Sequence, residues 1–91
     1  MSEVSDQIGS KLLFENDRVR VWDLCLEPGE STGLHRHTND YLYVVIGDGN
    51  LSDRQMEDGA VRWRDVDGED IHEATNTGST PWRNIIVELK Q

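Results

Sequence analysis

The sequence has little of what usually stabilises a small protein or directs it to a membrane. Its 91 residues include a single cysteine, Cys25, so no internal disulfide can form. Only 35% of the residues are hydrophobic, and no apolar stretch is long enough for a signal peptide or a membrane span. We therefore expect a soluble, cytoplasmic protein with one domain over residues 11–91. The first ten residues are polar and lack periodicity, which predicts a loose N-terminal arm over residues 1–10.

Basic residues are also scarce. Nine Lys and Arg stand against 18 Asp and Glu, which gives a formal net charge of −9. Nucleic acids bind clustered Lys and Arg, so neither a nucleic acid nor a membrane is expected as a partner. The expected partner is a small molecule. Because so few residues are apolar, the core should be thin and should depend on a bound partner or a second subunit.

Helical periodicity is missing as well. No stretch of a dozen residues places apolar residues three and four apart, and glycines interrupt the chain throughout. The segments between them are rich in β-branched, aromatic or alternating residues and span 18–27, 41–46, 61–64, 71–75 and 82–89. Asp48-Gly49 and Asp58-Gly59 predict turns with positive φ at the glycine. The chain is therefore predicted to be all-β, as a small antiparallel β-barrel or a sandwich of two sheets.

One strand has apolar residues on both faces. Alternation puts Val19 and Val21 on one face of the segment 18–27, and Trp22 and Leu24 on the other. Both faces therefore need cover. We predict a homodimer in which a second subunit covers the outer sheet. The alternative is a monomer whose strand curvature buries both faces.

The chain contains three histidines: His35, His37 and His72. Residues two apart on a strand point to the same side, so His35 and His37 can offer two imidazoles to one point. Because metal sites need more than two ligands, His72 is the natural third. These residues predict a three-histidine metal site with open positions for water or substrate. The alternative is two surface histidines and one hydrogen-bonded core histidine.

The wider pattern resembles that of the RmlC-like cupin superfamily. Gly29, followed by His35, Arg36 and His37 and then by Tyr41, resembles the first cupin motif, and His72 followed by Asn76 resembles the second. The resemblance covers about residues 26 to 83 and implies a double-sheet jelly roll with a metal at His35, His37 and His72. Segments 14–22 and 28–33 more loosely resemble the small cupins associated with β-alanine degradation.

The sequence departs from the cupin pattern at one ligand. The family usually has a glutamate ligand four residues after the second histidine of the first motif, and Tyr41 stands there. Asp40 is out of phase with the histidines, and Asn39 is in phase but neutral. The resemblance therefore implies a site of three histidines alone, as in cupin thiol and diketone dioxygenases. Tyr41 is expected to pack or to donate a hydrogen bond, because a phenol pKa near 10 opposes ligation.

The other candidate pocket residues follow from alternation and side-chain chemistry. Tyr43 and Val45 share the face of His35 and His37, so they line the interior or fill the core. Trp63 and Trp82 are candidates for an apolar wall, or for a cap of the barrel or of the dimer seam. Arg83 is a candidate partner of a substrate carboxylate, with a surface ion pair as the alternative. Cys25 is expected to be a small buried residue.

Two functional hypotheses follow. In the first, the protein is an oxygenase, isomerase or lyase that uses divalent iron, zinc, nickel or manganese to act on a small polar metabolite. In the second, it is a small-ligand-binding or accessory protein in which the metal is structural or absent. The fold does not decide between them, because cupins have many unrelated functions. The sequence does not identify a catalytic acid or base.

Overall fold

The computed structural model describes residues 4–90, and within that range the fold contains strands and no helix. The prediction of an all-β protein is therefore confirmed. Segments 61–64 and 82–89 are strands with the predicted bounds. Additional short strands form elsewhere in the chain. The strands are β1 (Lys11–Glu15), β2 (Val19–Leu26), β3 (His35–His37), β4 (Tyr41–Val45), β5 (Gly49–Leu51), β6 (Arg54–Met56), β7 (Val61–Arg64), β8 (Asp70–His72) and β9 (Trp82–Leu89).

The strands form three antiparallel sheets. Five of them build one sheet in the order β1-β2-β9-β4-β7, while β3 pairs with β8 and β5 pairs with β6. The chain crosses between ladders repeatedly, so neighbours in the large sheet are distant in sequence, as in a jelly roll. The β3–β8 ladder lies opposite the inner face of the large sheet, and side chains from both line one cavity. The fold thereby brings both histidine strands against the core.

Alternation along the strands determines which face is buried. In β2, Trp22, Leu24 and Leu26 are buried, and in β4, Tyr41, Tyr43 and Val45 are buried. The last strand buries Trp82, Asn84, Ile86 and Glu88, while Ile85 and Val87 lie on the outer face. Two polar residues of β9 thus face inward and two β-branched residues face outward.

The segment before β1 packs against the fold instead of extending as a loose arm. Ser5 pairs with His35, and its N–H donates to the carbonyl of Leu34 at 3.0 Å. Ile8 is 3% exposed and belongs to the core. A Cβ on Gly9 would lie 2.6 Å from Cβ of Trp22, so this close approach requires glycine. Residues 1–3 of the expected arm lie outside the described range, and the domain boundary itself stays a prediction.

Two smaller expectations need correction. Cys25 is exposed, because it lies on the outer face of β2 opposite Arg83. Gly59 has the expected positive φ of 83°, but at the other turn the positive φ belongs to Gly47, at 76°, since Gly49 already begins β5. No helix among residues 4–90 is long and apolar enough to cross a membrane.

Candidate metal centre

The three histidines come together through the pairing of β3 with β8. His35 and His37 lie two apart on β3 and are 4% and 2% exposed. His72 is directly opposite His35 in the ladder. Alternation within β3 and register with β8 therefore direct three imidazoles to one side of the ladder, as their spacing predicts.

The imidazoles are close enough to surround one ion. One ring nitrogen from each histidine lies within 4.8 Å of the other two. The ring of His35 is 4.9 Å from that of His37 and 4.6 Å from that of His72, measured between centroids. Three nitrogen donors on one side of a cavity suit zinc, iron, nickel or manganese, with further positions open to water or a ligand.

Neighbouring groups orient two of the rings. Nδ1 of His35 lies 3.1 Å from the carbonyl oxygen of Gly33, and Nδ1 of His72 lies 2.9 Å from a carboxylate oxygen of Asp70. A histidine ligand typically donates its second N–H to a carbonyl or carboxylate in this way, which fixes the tautomer and the ring orientation. In both histidines, Nε2 is the nitrogen left for a metal.

His37 lacks such a partner within the described part of the chain. Its Nδ1 is buried and makes no hydrogen bond there. A buried polar atom without a partner is costly, and coordination of a metal by the imidazole offsets that cost. The donor set and this unpartnered nitrogen together fit a metal ion.

Burial keeps the interior histidines neutral. Loss of solvent, with a smaller contribution from the neighbouring histidines, lowers the pKa of His37 to about 3. Burial also lowers the pKa of His35, although the hydrogen bond to Gly33 opposes the shift. Only a neutral imidazole has a lone pair free for a metal, so these pKa values favour coordination at neutral pH.

Tyr41 packs on a ligand candidate. Its ring stacks on His37 with a centroid distance of 4.0 Å and an interplanar angle of 12°. Burial raises the pKa of Tyr41 to about 12, with Arg64 opposing the shift. The phenol is therefore protonated at neutral pH, which favours the packing role over ligation as phenolate.

No nearby carboxylate replaces the missing glutamate within residues 4–90. The group of potential ligands contains only the three histidines. Asn39 donates to Glu88 at 2.9 Å, and Asp40 accepts from the N–H of Val66 at 2.7 Å. Glu88 is buried but also accepts from Nε1 of Trp22 at 3.2 Å, so it is held away from the histidines by its own partners.

The histidines face a small chamber that opens to the surface. The chamber has a volume of about 40 Å³, and Tyr41 and Tyr43 form part of its wall. Both tyrosines and His72 also line a larger outer cavity of about 250 Å³. A small molecule in the outer cavity would therefore reach His72 directly, and would reach His35 and His37 past the two tyrosines.

The remaining predicted pocket residues are not brought to this chamber. Val45 is fully buried in the core. Trp63 is 49% exposed on the outer face of the sheet, because it pairs with the outward-facing Leu42. Trp82 is buried beside a separate cavity, which Arg83 also lines. Arg83 pairs with Asp23 at 3.0 Å on the outer face, so the surface alternative is the correct one for this residue.

Two residues near the chamber are not predicted from the sequence. Asn84 lines the chamber, and its Oδ1 is buried without a hydrogen-bond partner in the described range. Arg64 lines the outer cavity and is directly opposite Tyr41 in the β4–β7 ladder. The signal for Asn84 in the sequence is that it is a polar residue between Arg83 and two isoleucines. Nothing in the sequence indicates the register that places Arg64.

Comparisons with known proteins agree with this geometry. The structure resembles a cupin domain from Bordetella pertussis Tohama I, with a TM-score of 0.78 and 27% identity over 89% of this chain and 91% of that one. The chain has a cupin fold. This cupin also resembles an RmlC-like cupin with a double-stranded β-helix fold from Methanocaldococcus jannaschii, with a TM-score of 0.68 and 16% identity over 88% of this chain and 77% of that one. The expected fold family is thus confirmed.

A third similar structure has a name that includes an activity. It is a predicted oxalate decarboxylase from Thermotoga maritima, with a TM-score of 0.58 and 27% identity over 82% of this cupin and 69% of that chain. No protein-family model and no functionally curated protein matches the sequence. The narrower resemblance to cupins associated with β-alanine degradation stays a prediction.

Proposed function

We propose that this cupin binds one divalent metal through His35, His37 and His72 and uses it to transform a small polar metabolite. The observation that carries the proposal is the convergence of one nitrogen from each histidine within 4.8 Å. The neutral state of the buried imidazoles and the unpartnered Nδ1 of His37 support it. When bound, such a metal polarises a carbonyl or carboxylate oxygen or activates oxygen or water.

The residues of the chain supply binding and orientation. Gly33 and Asp70 hold the rings of His35 and His72, and Tyr41 holds that of His37 by stacking. The tyrosines narrow the way from the outer cavity to the chamber, which restricts access to small molecules. Absence of a ligating carboxylate leaves the site one negative charge short of the usual cupin set, so the metal stays more electrophilic.

The enzyme class within this proposal is an oxygenase, isomerase or lyase. The resemblance to a predicted oxalate decarboxylase supports a reaction at a small carboxylate. A non-catalytic ligand-binding cupin is the second candidate. It is favoured by the small volume of the chamber, about 40 Å³, whose lining within residues 4–90 contains no carboxylate, lysine or arginine.

Elemental analysis of tag-free protein tests the metal site. We expect about one metal per chain in the wild type, and a loss of most of it in His35→Ala and His72→Ala. Tyr41→Phe is the matched control, because it keeps the stacked ring and all three histidines. A wild type with far less than one metal per chain after reconstitution would contradict the metal site and leave the binding cupin.

A metal site alone does not make an enzyme, so a second measurement decides between the candidates. Oxygen uptake and product formation with thiols, diketones, β-amino acids and small dicarboxylates test the catalytic branch. Turnover that disappears in His72→Ala supports an enzyme. Metal-loaded protein that binds one of these compounds and leaves it unchanged supports the binding cupin.

A further inference from the structure

Three arginines gather beside the route to the histidines. Arg54 lies in β6, and Arg62 and Arg64 lie two apart in β7. Register places Arg62 opposite Tyr43 and Arg64 opposite Tyr41, so both arginines are on the inner face of the sheet. The sequence has only nine Lys and Arg residues, and these three arginines are a third of them.

Within residues 4–90, these arginines are among the basic residues that form no ion pair with a carboxylate. Within the described part of the chain, Arg20, Arg36, Arg83 and Lys90 form ion pairs with carboxylates. In the same range, Arg54, Arg62 and Arg64 form none, although acids outnumber bases two to one. The buried Nε of Arg62 also lacks a hydrogen-bond partner there. An external anion would satisfy these donors.

Two of these arginines, Arg54 and Arg64, line cavities beside the candidate metal centre. Arg54 and Arg64 border a cavity of about 160 Å³ together with Tyr43 and Ser52. Arg64, Tyr43 and Ser52 also border the outer cavity of about 250 Å³, which His72 lines at its other side. The two cavities thus share a wall, and one small ligand can extend from the arginines toward the histidines.

Two acidic residues limit the charge that this route admits. Asp70 and Glu73 line the outer cavity, where Asp70 contacts His72 and Glu73 accepts a hydrogen bond from Ser31 at 3.3 Å. They would repel a multiply charged group in the middle of the route. Among residues 4–90, no acid lines the cavity between Arg54 and Arg64, so the anionic end of a ligand is favoured there.

We propose that Arg54 and Arg64 bind the carboxylate of a small organic acid whose other end reaches the histidines. The planar guanidinium group matches a carboxylate with paired hydrogen bonds, and its charge persists at any working pH. Arg62, two residues before Arg64 on the same face of β7, adds positive charge nearby. The position of the far end of the ligand rests on the proposed metal function, whereas the carboxylate site does not.

Calorimetric titration with malonate tests the carboxylate site. We expect malonate to bind the metal-free protein, and Arg54→Gln and Arg64→Gln each to weaken that binding about tenfold. Arg18→Gln is the matched control, since it removes the positive charge of another exposed arginine, which lies just before β2. It should leave the affinity unchanged. Both test arginines are exposed, and melting curves verify that the variants fold.

The same samples separate the two proposals. Zinc loading, checked by elemental analysis, should be equally complete in the wild type and in the arginine variants. In the wild type, the zinc-loaded protein should bind malonate more tightly than the metal-free protein. If zinc does not bind but malonate binding still depends on the arginines, the metal site is refuted and the carboxylate site stands. The carboxylate site would be refuted by a metal-free wild type that binds no malonate, by equal losses in all three variants, or by tighter binding of inorganic phosphate than of malonate.

Discussion

At the residue scale, burial determines the chemistry of the site. Tyr41 stands where most cupins are expected to have a glutamate ligand, and burial raises its pKa to about 12. A protonated phenol stacked on His37 orients a ligand without adding charge. Within residues 4–90, the site therefore lacks the negative charge that a glutamate ligand would supply.

The depressed pKa of His37 makes the stability of the metal-free protein depend on pH. The folded pKa is about 3, against 6.5 in the unfolded chain, so only the unfolded chain takes up this proton between these values. Stability is complete above the unfolded pKa and is lost as the pH falls toward the folded pKa. Denaturant unfolding at about pH 7 and about pH 5 should show a lower free energy of unfolding in acid.

His37→Gln provides the comparison for this pH effect. Because glutamine does not titrate, the variant should lose less stability between the two pH values than the wild type, whatever its stability at neutral pH. Other acid-sensitive groups are common to both proteins. An identical loss in both would show that His37 does not contribute to the pH dependence.

At the scale of elements, the N-terminal segment is part of the structure around the site. Ile8 is 3% exposed, and it lines the chamber together with the histidines. We expect Ile8→Ala to lower the free energy of unfolding by about 2 kcal/mol, since it leaves a cavity in the core. The matched control is Leu13→Ala in β1, where the side chain is 46% exposed and the loss should be below about 1 kcal/mol.

Equal effects of these two substitutions in denaturant unfolding would mean that residues 4–10 do not pack on the fold in solution. The sequence suggested a loose arm because the segment is polar and has no periodicity. A single isoleucine gives no pattern, and the anchoring of Ser5 uses backbone groups that composition does not reveal.

The strands show what alternation predicts and where it stops. The spacing of His35 and His37 is enough to place both on one face, and the structure adds His72 through strand register. In β9, alternation separates the residues of the two faces, but it does not tell which face is buried. Asn84 and Glu88 face inward, and Glu88 is satisfied there by Trp22 and Asn39 from other segments. Such partners become visible only when distant strands are paired.

At the scale of the whole molecule, the outer face of the large sheet is apolar from edge to edge. The register aligns one row across all five strands: Phe14, Val21, Val87, Leu42 and Trp63. Phe14 and Trp63, at the two ends, are 53% and 49% exposed. The nearby charge of Asp23 is compensated by Arg83, so acidic repulsion is weak on this face despite the net charge of −9.

We propose that a second copy of the chain covers this face. Contiguous exposed apolar surface of this kind usually marks an interface, and a two-fold dimer buries the same patch of both subunits without bringing many like charges together. Light scattering should then give about twice the chain mass of 10.4 kDa, and Trp63→Glu should return the protein to the mass of one chain. Ile71→Glu is the matched control, because Ile71 is 42% exposed but lies in β8, outside this sheet. A wild type with the mass of one chain would refute the dimer and leave the outer face exposed in a monomer.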